Sequence, residues 1–493
     1  MSLPRLTEVD GRPRLLVDDK PFLILGLQWD CDSCFSREEM NPLFPEALRM
    51  GANTAALPLY WREIEPSAGR YDFSMLEERL TQARANDLRL VLLWFGTWKN
   101  ACSFYAPDHV RDDHATYRYA CDRDGEELVS FCPTSQVTWQ ADRNALVAVT
   151  EYLRDHDAQN TVILLQIENE SGILGAPRCF CEDCNRLFEQ GSYASRFGDE
   201  ADEALSVVSF ATYIDRLAGE VKAVKNLLCY TNAWLSQPVG RVPGTYPSGG
   251  PVPPMLGLYR EQLKHLDFVA PDIYRESAKD FADIAAQYTE GGQPLYIAEH
   301  SSSLTGRAER NAFYAIARSG AIGFDPWAID SPYPEMYGEP LVDPLGREWG
   351  RQAYWLRDSY VAIGRAISPI VEAQGTDKLF CFVQEPGERS AAYAGELCTL
   401  QIAFHDRETM SRGFIIERSP TEYLLIGTSF SVRFRQKGRD LAYPLKRADF
   451  GRYDGDEFKL LHPMRRERLE REGIPVPLLE PGVVRVVLDS SNP

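Results

Sequence analysis

The chain is expected to be an α/β protein, a (β/α)8 TIM barrel followed by a C-terminal antiparallel β-sandwich-like module. Three observations predict this. Eight short apolar runs alternate with amphipathic stretches, two of those runs end in a Glu, and the alternation stops near Gln374. Alternating strand and helix patterns imply a parallel sheet, and eight repeats imply closure into a barrel.

The expected barrel strands are Phe22–Leu27, Thr54–Leu59, Leu88–Phe95, Thr161–Ile167, Leu227–Tyr230, Phe268–Ala270, Leu295–Ala298 and Ala321–Phe324. Helical patterns separate them, among them Met75–Asn86, Asp142–His156, Ala204–Lys225 and Arg307–Ser319. Long insertions follow the third strand (Thr97–Gln140), the fifth (Ala233–Gly257) and the eighth (Asp325–Trp349). All three are strand-to-helix loops, on the side where a barrel keeps its site. Past Gln374, short runs such as Leu379–Val383, Leu400–Phe404, Gly413–Ile416, Tyr423–Gly427, Ser431–Phe434 and Val483–Leu488 follow one another with no long helix between them. That pattern suits an antiparallel sandwich or jelly roll. A barrel over residues 1–370 and a β-module over 371–493 are expected.

Bulk composition narrows the function. The 493 residues carry a formal net charge of −19, with 44% hydrophobic and 25% charged residues. An acidic globular chain of this kind argues against nucleic acid or an anionic membrane as partner and favours a neutral substrate. The start, Met1-Ser2-Leu3-Pro4-Arg5, has no apolar h-region, and no run of 18 apolar residues follows. A cytoplasmic chain without membrane span is therefore expected. No Walker loop, dinucleotide fingerprint or Gly-x-Ser-x-Gly elbow occurs, so no organic cofactor and no Ser triad are expected.

The chemistry is carried by Leu164-Leu165-Gln166-Ile167-Glu168-Asn169-Glu170 and by Leu295-Tyr296-Ile297-Ala298-Glu299-His300. Each is an apolar strand with a Glu at its C-terminal end, where catalytic groups of a barrel collect. A retaining glycosidase needs one carboxyl group as acid then base and a second as nucleophile, roughly 5–5.5 Å apart. Glu170 suits the acid, because a neighbouring carboxylate raises its pKa. Glu299 suits the nucleophile, kept ionised by hydrogen bonds from groups such as Tyr274. Asn169 is expected beside the sugar 2-hydroxyl, and His300 near the site. Trp61, Trp94, Trp98, Trp234 and Trp327 all fall near strand ends. Aromatic rings stack on the apolar faces of sugars, with Trp327 the first choice for the platform.

The chain resembles the retaining barrels of glycoside hydrolase clan A, which carry Asn-Glu after the fourth strand and a Glu after the seventh. The segment Leu57-Pro58-Leu59-Tyr60-Trp61-Arg62-Glu63-Ile64-Glu65-Pro66, with Gly69-Arg70-Tyr71-Asp72-Phe73, is similar to the second-strand signature of families 35 and 42, largely β-galactosidases. Leu90-Val91-Leu92-Leu93-Trp94-Phe95-Gly96-Thr97-Trp98-Lys99-Asn100 resembles the third strand of a bacterial family 35 subgroup. The resemblance covers about residues 15–365. It implies a retaining exo-β-glycosidase, β-galactosidase first, acting on an oligosaccharide or β-glycoside. Other β-glycosides (glucosides, xylosides) and a non-catalytic carbohydrate-binding barrel are the alternatives. Family 35 usually places a Glu after the third strand, where Trp98-Lys99-Asn100 stands here. Asn100 is the expected reader of a sugar hydroxyl pair, since its amide both donates and accepts, whereas Lys99 only donates. Family 42 also implies a possible homo-oligomer.

Eleven cysteines in a chain of this class point to thiols or metal ligands. Cys179-Phe180-Cys181-Glu182-Asp183-Cys184 places three thiols within six residues, a spacing that closes around a tetrahedral zinc. Cys132, before Pro133, is the candidate fourth ligand, as in the zinc cluster of many family 42 enzymes. Such an ion has no open position and is structural. Ordinary buried thiols are the alternative. Cys31 and Cys34 form C-x-x-C and are expected to be plain loop cysteines, with a second metal pair to Cys102 or Cys121 as the other reading.

Overall fold

The computed structural model describes residues 2–236, 240–275, 277–302, 307–331, 341, 349, 351–405, 410–439, 441–464 and 473–489. Eight parallel strands close a barrel in chain order: Ile24–Gln28, Thr54–Tyr60, Arg89–Lys99, Val162–Asn169, Cys229–Trp234, Phe268–Ile273, Tyr296–Ser301 and Gly323–Trp327. Buried on both faces, these strands are almost continuously apolar. Each of the last four extends beyond its expected C-terminal end, and the added residues include polar or aromatic ones: Asn232, Asp272, Glu299 and Trp327. Strand pairing carries these residues into the sheet against the local polarity of the sequence.

The third strand departs most. It runs to Lys99 rather than Phe95, and its register against the fourth shifts between Trp94 and Lys99. Such a bulge bends a strand and re-aims its side chains. The expected insertion Thr97–Gln140 therefore opens with strand. It then holds a short helix (Asp108–Arg111) and a hairpin (Tyr119–Cys121 with Glu127–Phe131). The helix Gln136–His156 starts six residues before the expected Asp142 because Ser135 caps it, accepting from the Thr138 amide at 3.3 Å. Much of the expected Asp325–Trp349 insertion lies outside the described residues, as does Ser303.

Two regions were not anticipated. Arg5–Val9, Arg12–Val17 and Lys20–Phe22 form a three-stranded antiparallel sheet ahead of the barrel. The C-terminal region gains Ser390–Ala394, Leu445–Asp454, Glu457–Pro463 and Val476–Leu478 as further strands. Its strands make one six-stranded and one four-stranded antiparallel sheet. Period-two alternation explains how the larger sheet serves two cores. Ile415 and Leu425 face the four-stranded sheet, while Phe414, Ile416, Leu424 and Ile426 join the barrel core. Phe414 meets Phe313 of the barrel helix Ala308–Ala317 with ring centroids 4.6 Å apart. No helix among the described residues is long and apolar enough to cross a membrane.

Candidate active site

Six strand ends hold the centre. Glu170 and Glu299 come together with a third carboxyl, Asp272, and the ligand oxygens of the three all lie within 4.8 Å of one another. All three side chains are buried. Glu299 is fixed by four donors. Its Oε1 accepts from Gln28 Nε2 (3.3 Å), Asn169 Nδ2 (3.2 Å) and Asn232 Nδ2 (3.3 Å), and its Oε2 accepts from the Tyr274 hydroxyl at 2.7 Å. Donors on both oxygens hold the carboxylate in one orientation.

Glu170 is buried beside that acceptor-rich residue. Burial first, and then the neighbouring Glu299 charge, push its pKa from 4.5 up to about 8, against the opposing pull of Lys99. A carboxyl in that range is protonated at neutral pH and able to give its proton to a departing oxygen. Its backbone is set by Asn232, whose Oδ1 accepts from the Glu170 amide at 2.9 Å. Glu168 and Glu170 both sit in the left-handed region, at φ 60° and 45°. Non-glycine residues hold that conformation only where the surroundings impose it.

The support lies directly behind. Glu168 is buried and accepts from the Thr97 and Trp98 amides at 3.1 and 2.6 Å, the two amides that the third-strand bulge frees from the ladder. Asp142 takes the Trp94 indole (2.8 Å), the Thr97 hydroxyl (2.8 Å) and the Tyr213 hydroxyl (3.0 Å). Burial holds Glu168 well above the usual carboxylate range, and the Asp142 charge adds to it, so this pair keeps a proton. Gly96 is required at the crossing: a Cβ there would stand 2.2 Å from Trp94 Nε1 and 2.7 Å from Glu168 Oε1.

Several expected residues take other places. Trp98 is not a sugar contact. It has no exposed surface and packs outward against Phe210 and Tyr213, at 4.7 and 4.6 Å between centroids. Trp61 and Trp94 are likewise core, spending their indole N–H groups on Glu65 and Asp142. Trp234 and Trp327 keep exposed surface, and Trp327 meets Tyr274 edge to face at 6.5 Å. His300 faces away from the carboxylates, with Nδ1 2.6 Å from the Ile273 carbonyl and Nε2 3.2 Å from Asn311.

Asn100 is part-exposed, but its side-chain oxygen accepts from the Lys99 ammonium. Lys99 is the cation of the centre. Burial opposes its charge, yet Glu299 and Glu170 outweigh that and raise its pKa. Gln28, Asn232 and Asp272 escaped the sequence reading. The available signal was a polar residue at the C-terminal end of an otherwise apolar strand.

The four expected cysteines converge. Cys132 follows the hairpin, Cys179 and Cys181 precede the helix Glu182–Gln190, and Cys184 lies in its first turn. Their sulfurs lie within 4.8 Å of one another, with Cys132 Sγ 3.8 Å from Cys181 Sγ and 3.6 Å from Cys184 Sγ. These separations exclude disulfides, whose S–S bond is about 2.05 Å. They match the edge of about 3.8 Å that a tetrahedron of ~2.3 Å metal–sulfur bonds requires. The Thr134 hydroxyl and the Arg118 guanidinium hydrogen-bond to the cluster's sulfurs. The four thiols thus form a group able to hold a metal ion.

Comparison with known proteins agrees with this geometry. Residues 46–204 match the family model described as β-galactosidase, and residues 356–466 match a domain of unknown function (DUF5597). A β-galactosidase of Haloferax lucentense is 30% identical over 149 residues, which is 29% of this chain and 20% of that protein. The chain thus matches about a fifth of that curated relative's length. Among solved structures, β-galactosidase from the psychrophilic Marinomonas ef1 aligns with a TM-score of 0.51 at 15% identity, over 72% of this chain and 61% of that one. A GH42 β-galactosidase from G. stearothermophilus aligns at 0.52 and 14%, over 72% and 58%. An endo-1,4-β-mannanase from Rhizomucor miehei aligns at 0.51 and 14%, over 74% and 99%. Residues 46–204 are thus similar to a β-galactosidase family, and the barrel fold is shared with solved β-galactosidases and a β-mannanase.

Proposed function

We propose that the chain is a retaining, exo-acting β-glycosidase whose preferred substrates are β-galactosides. Glu170 is the acid/base and Glu299 the nucleophile. The observation that carries this reading is the contrast between the surroundings of two adjacent carboxyls: Glu299 with donors on both oxygens, and Glu170 buried and raised to about 8. Their oxygens lie within 4.8 Å, the close spacing that supports retention rather than inversion.

In the first step a Glu299 oxygen bonds to the anomeric carbon while the Glu170 proton passes to the departing glycosidic oxygen. The Tyr274 hydroxyl and the three amide donors steady Glu299 as its charge enters the ester. In the second step Glu170, now a carboxylate, takes a proton from water, whose oxygen displaces Glu299 from the anomeric carbon. Trp327 and Tyr274 supply the aromatic wall for the sugar.

The four-cysteine group is read as a structural zinc site, with no position left for water. It would tie the hairpin loop after the third strand to the loop after the fourth, beside Glu170. Free thiols in this number fit a reducing compartment, which supports a cytoplasmic protein.

The test is turnover of aryl β-galactosides, β-glucosides and β-xylosides, with proton NMR of the first-formed anomer. Retained configuration with galactosides fastest is expected. For Glu170→Ala, substrates with poor leaving groups should slow far more than activated ones, and azide should restore turnover as glycosyl azide. An inverted product rules out the two-step route.

A further inference from the structure

The third carboxyl in the centre has no part in the two-step scheme, yet it is among the most constrained. Asp272 is buried at the end of the sixth strand. Its Oδ2 accepts from Asn232 Nδ2 at 2.8 Å, while its Oδ1 is buried without a hydrogen-bond partner among the described residues. Asn232 is a three-way clamp. Its oxygen takes the Glu170 amide, and its nitrogen serves both Asp272 and Glu299. That bonding fixes which end of the Asn232 amide faces which group, so Asp272 is held at a set position beside both other carboxyls.

Charge counting then decides its state. Among the described residues, three carboxyls with oxygens inside 4.8 Å share one ammonium, Lys99. The groups facing Asp272 from the packed elements are Glu170 on the fourth strand, Glu299 on the seventh and Lys99 on the third, with Tyr230, Tyr274 and Tyr288 around them. An ionised Asp272 would leave a buried charged oxygen with no donor, which is costly. A neutral one has an O–H to give, and carboxylates are the best acceptors for it.

We infer that Asp272, clamped by Asn232, is a positioning residue that keeps a proton through the cycle and donates a hydrogen bond to Glu170. Burial and the two neighbouring carboxylates hold Asp272 well above the usual range. The role falls in the second step. Glu170 has then given its proton to the leaving group, and its carboxylate accepts the Asp272 O–H while it draws a proton from water. The Asp272 proton does not transfer: water supplies the proton that Glu170 gains and the oxygen that the sugar gains.

This inference rests on the acid/base role of Glu170, and its test has an arm that needs no turnover. Infrared titration between pH 5 and 9 follows the protonated carboxyl bands of the full chain, each assigned by its loss in a variant. A band lost in Asp272→Asn should persist at pH 7 in the wild type. The Glu170 band should titrate near 8 in wild type and Asp272→Asn, whose amide N–H replaces the donor. In Asp272→Ala it should move up by about one pH unit, a tenfold tighter proton. A downward move in Asp272→Ala, or an Asp272 band already absent at pH 7, would overturn the inference. If Asp272→Ala does not fold, the Asp272 band in wild type against Asp272→Asn decides alone. The turnover arm is a burst experiment on an activated aryl galactoside. Release of the sugar should slow about tenfold in Asp272→Ala and largely recover in Asp272→Asn. Should the wild type hydrolyse no β-glycoside, the functional reading fails while the titration still judges Asp272.

Discussion

Replacing Glu170 by Gln should stabilise the protein, and the gain should grow with pH in a calculable way. Glu170 has a folded pKa of about 8 against 4.5 for an ordinary Glu. Its folded state therefore binds a proton more tightly than the unfolded chain does. The favourable, protonated contribution is fully present below about 4.5 and is lost as pH rises through about 8. Gln mimics the neutral carboxyl at every pH, so the gap between variant and wild type opens across that window. At pH 7 the loss is about 2.5 pH units at 1.36 kcal/mol each, or about 3 kcal/mol. Unfolding 493 residues carries an entropy of ~2.1 cal/mol/K per residue, near 1 kcal/mol/K in total, so the expected rise in Tm is about 3 °C. Calorimetric scans of both proteins at pH 5, 6, 7 and 8 measure it. A gap that stays constant across those scans refutes the burial argument, as does a wild type more stable than the variant at pH 7.

Three other substitutions probe separate parts of the site. Tyr274→Phe removes the 2.7 Å donor to Glu299 from a side chain that is 42% exposed, so kcat/KM should fall about 10- to 100-fold, from ~1.5–3 kcal/mol for a bond to a charged group, with Tm nearly unchanged. An equal fall in Tm would mean the tyrosine is structural. Gly96→Ala puts a methyl into the Trp94–Glu168 contact and should cost about 1–3 kcal/mol, seen as a lower Tm together with reduced turnover; unchanged values of both would show that the third-strand bulge is pliable. For the thiol cluster, elemental analysis should find about one zinc per wild-type chain and much less in Cys181→Ser, with a lower Tm for the variant. Full metal-free stability would leave the cysteines as simple core thiols.

The barrel was readable because each parallel strand is an unbroken apolar run between amphipathic helices, a pattern tertiary packing reinforces. Glu170, Glu299, Tyr274 and the four cysteines were readable because their positions follow from strand ends and from spacing. Trp98 was misread because the third strand was taken to end at Phe95. The strand runs on to Lys99, so Trp98 packs outward against the helices on the same side as Trp94, while Lys99 is felt by the carboxylates. Asn232 and Asp272 were missed because polar residues were taken to end their strands, when the barrel buries them and pairs them with each other. The strands Arg5–Val9 and Glu457–Pro463 mix apolar residues with charged ones and are largely exposed, so their hydrogen-bonded partners, not their composition, define them.

The donors around Glu299 also bear on how this chain reaches its folded state. Gln28 stands 271 positions before Glu299, and Asn169 stands 130 before it. During synthesis the first, fourth and fifth strands exist long before the seventh does, and their amides then have water as their only partner for that role. A partial barrel consequently pays desolvation without the acceptor that compensates it, which disfavours early compaction around the strand ends. Arrival of the seventh strand satisfies Gln28, Asn169 and Asn232 at once, and the eighth, pairing with the seventh and the first, then closes the sheet. Assembly of the carboxyl cluster and closure of the barrel are then a single cooperative event, and a fragment lacking residues beyond 295 should show neither.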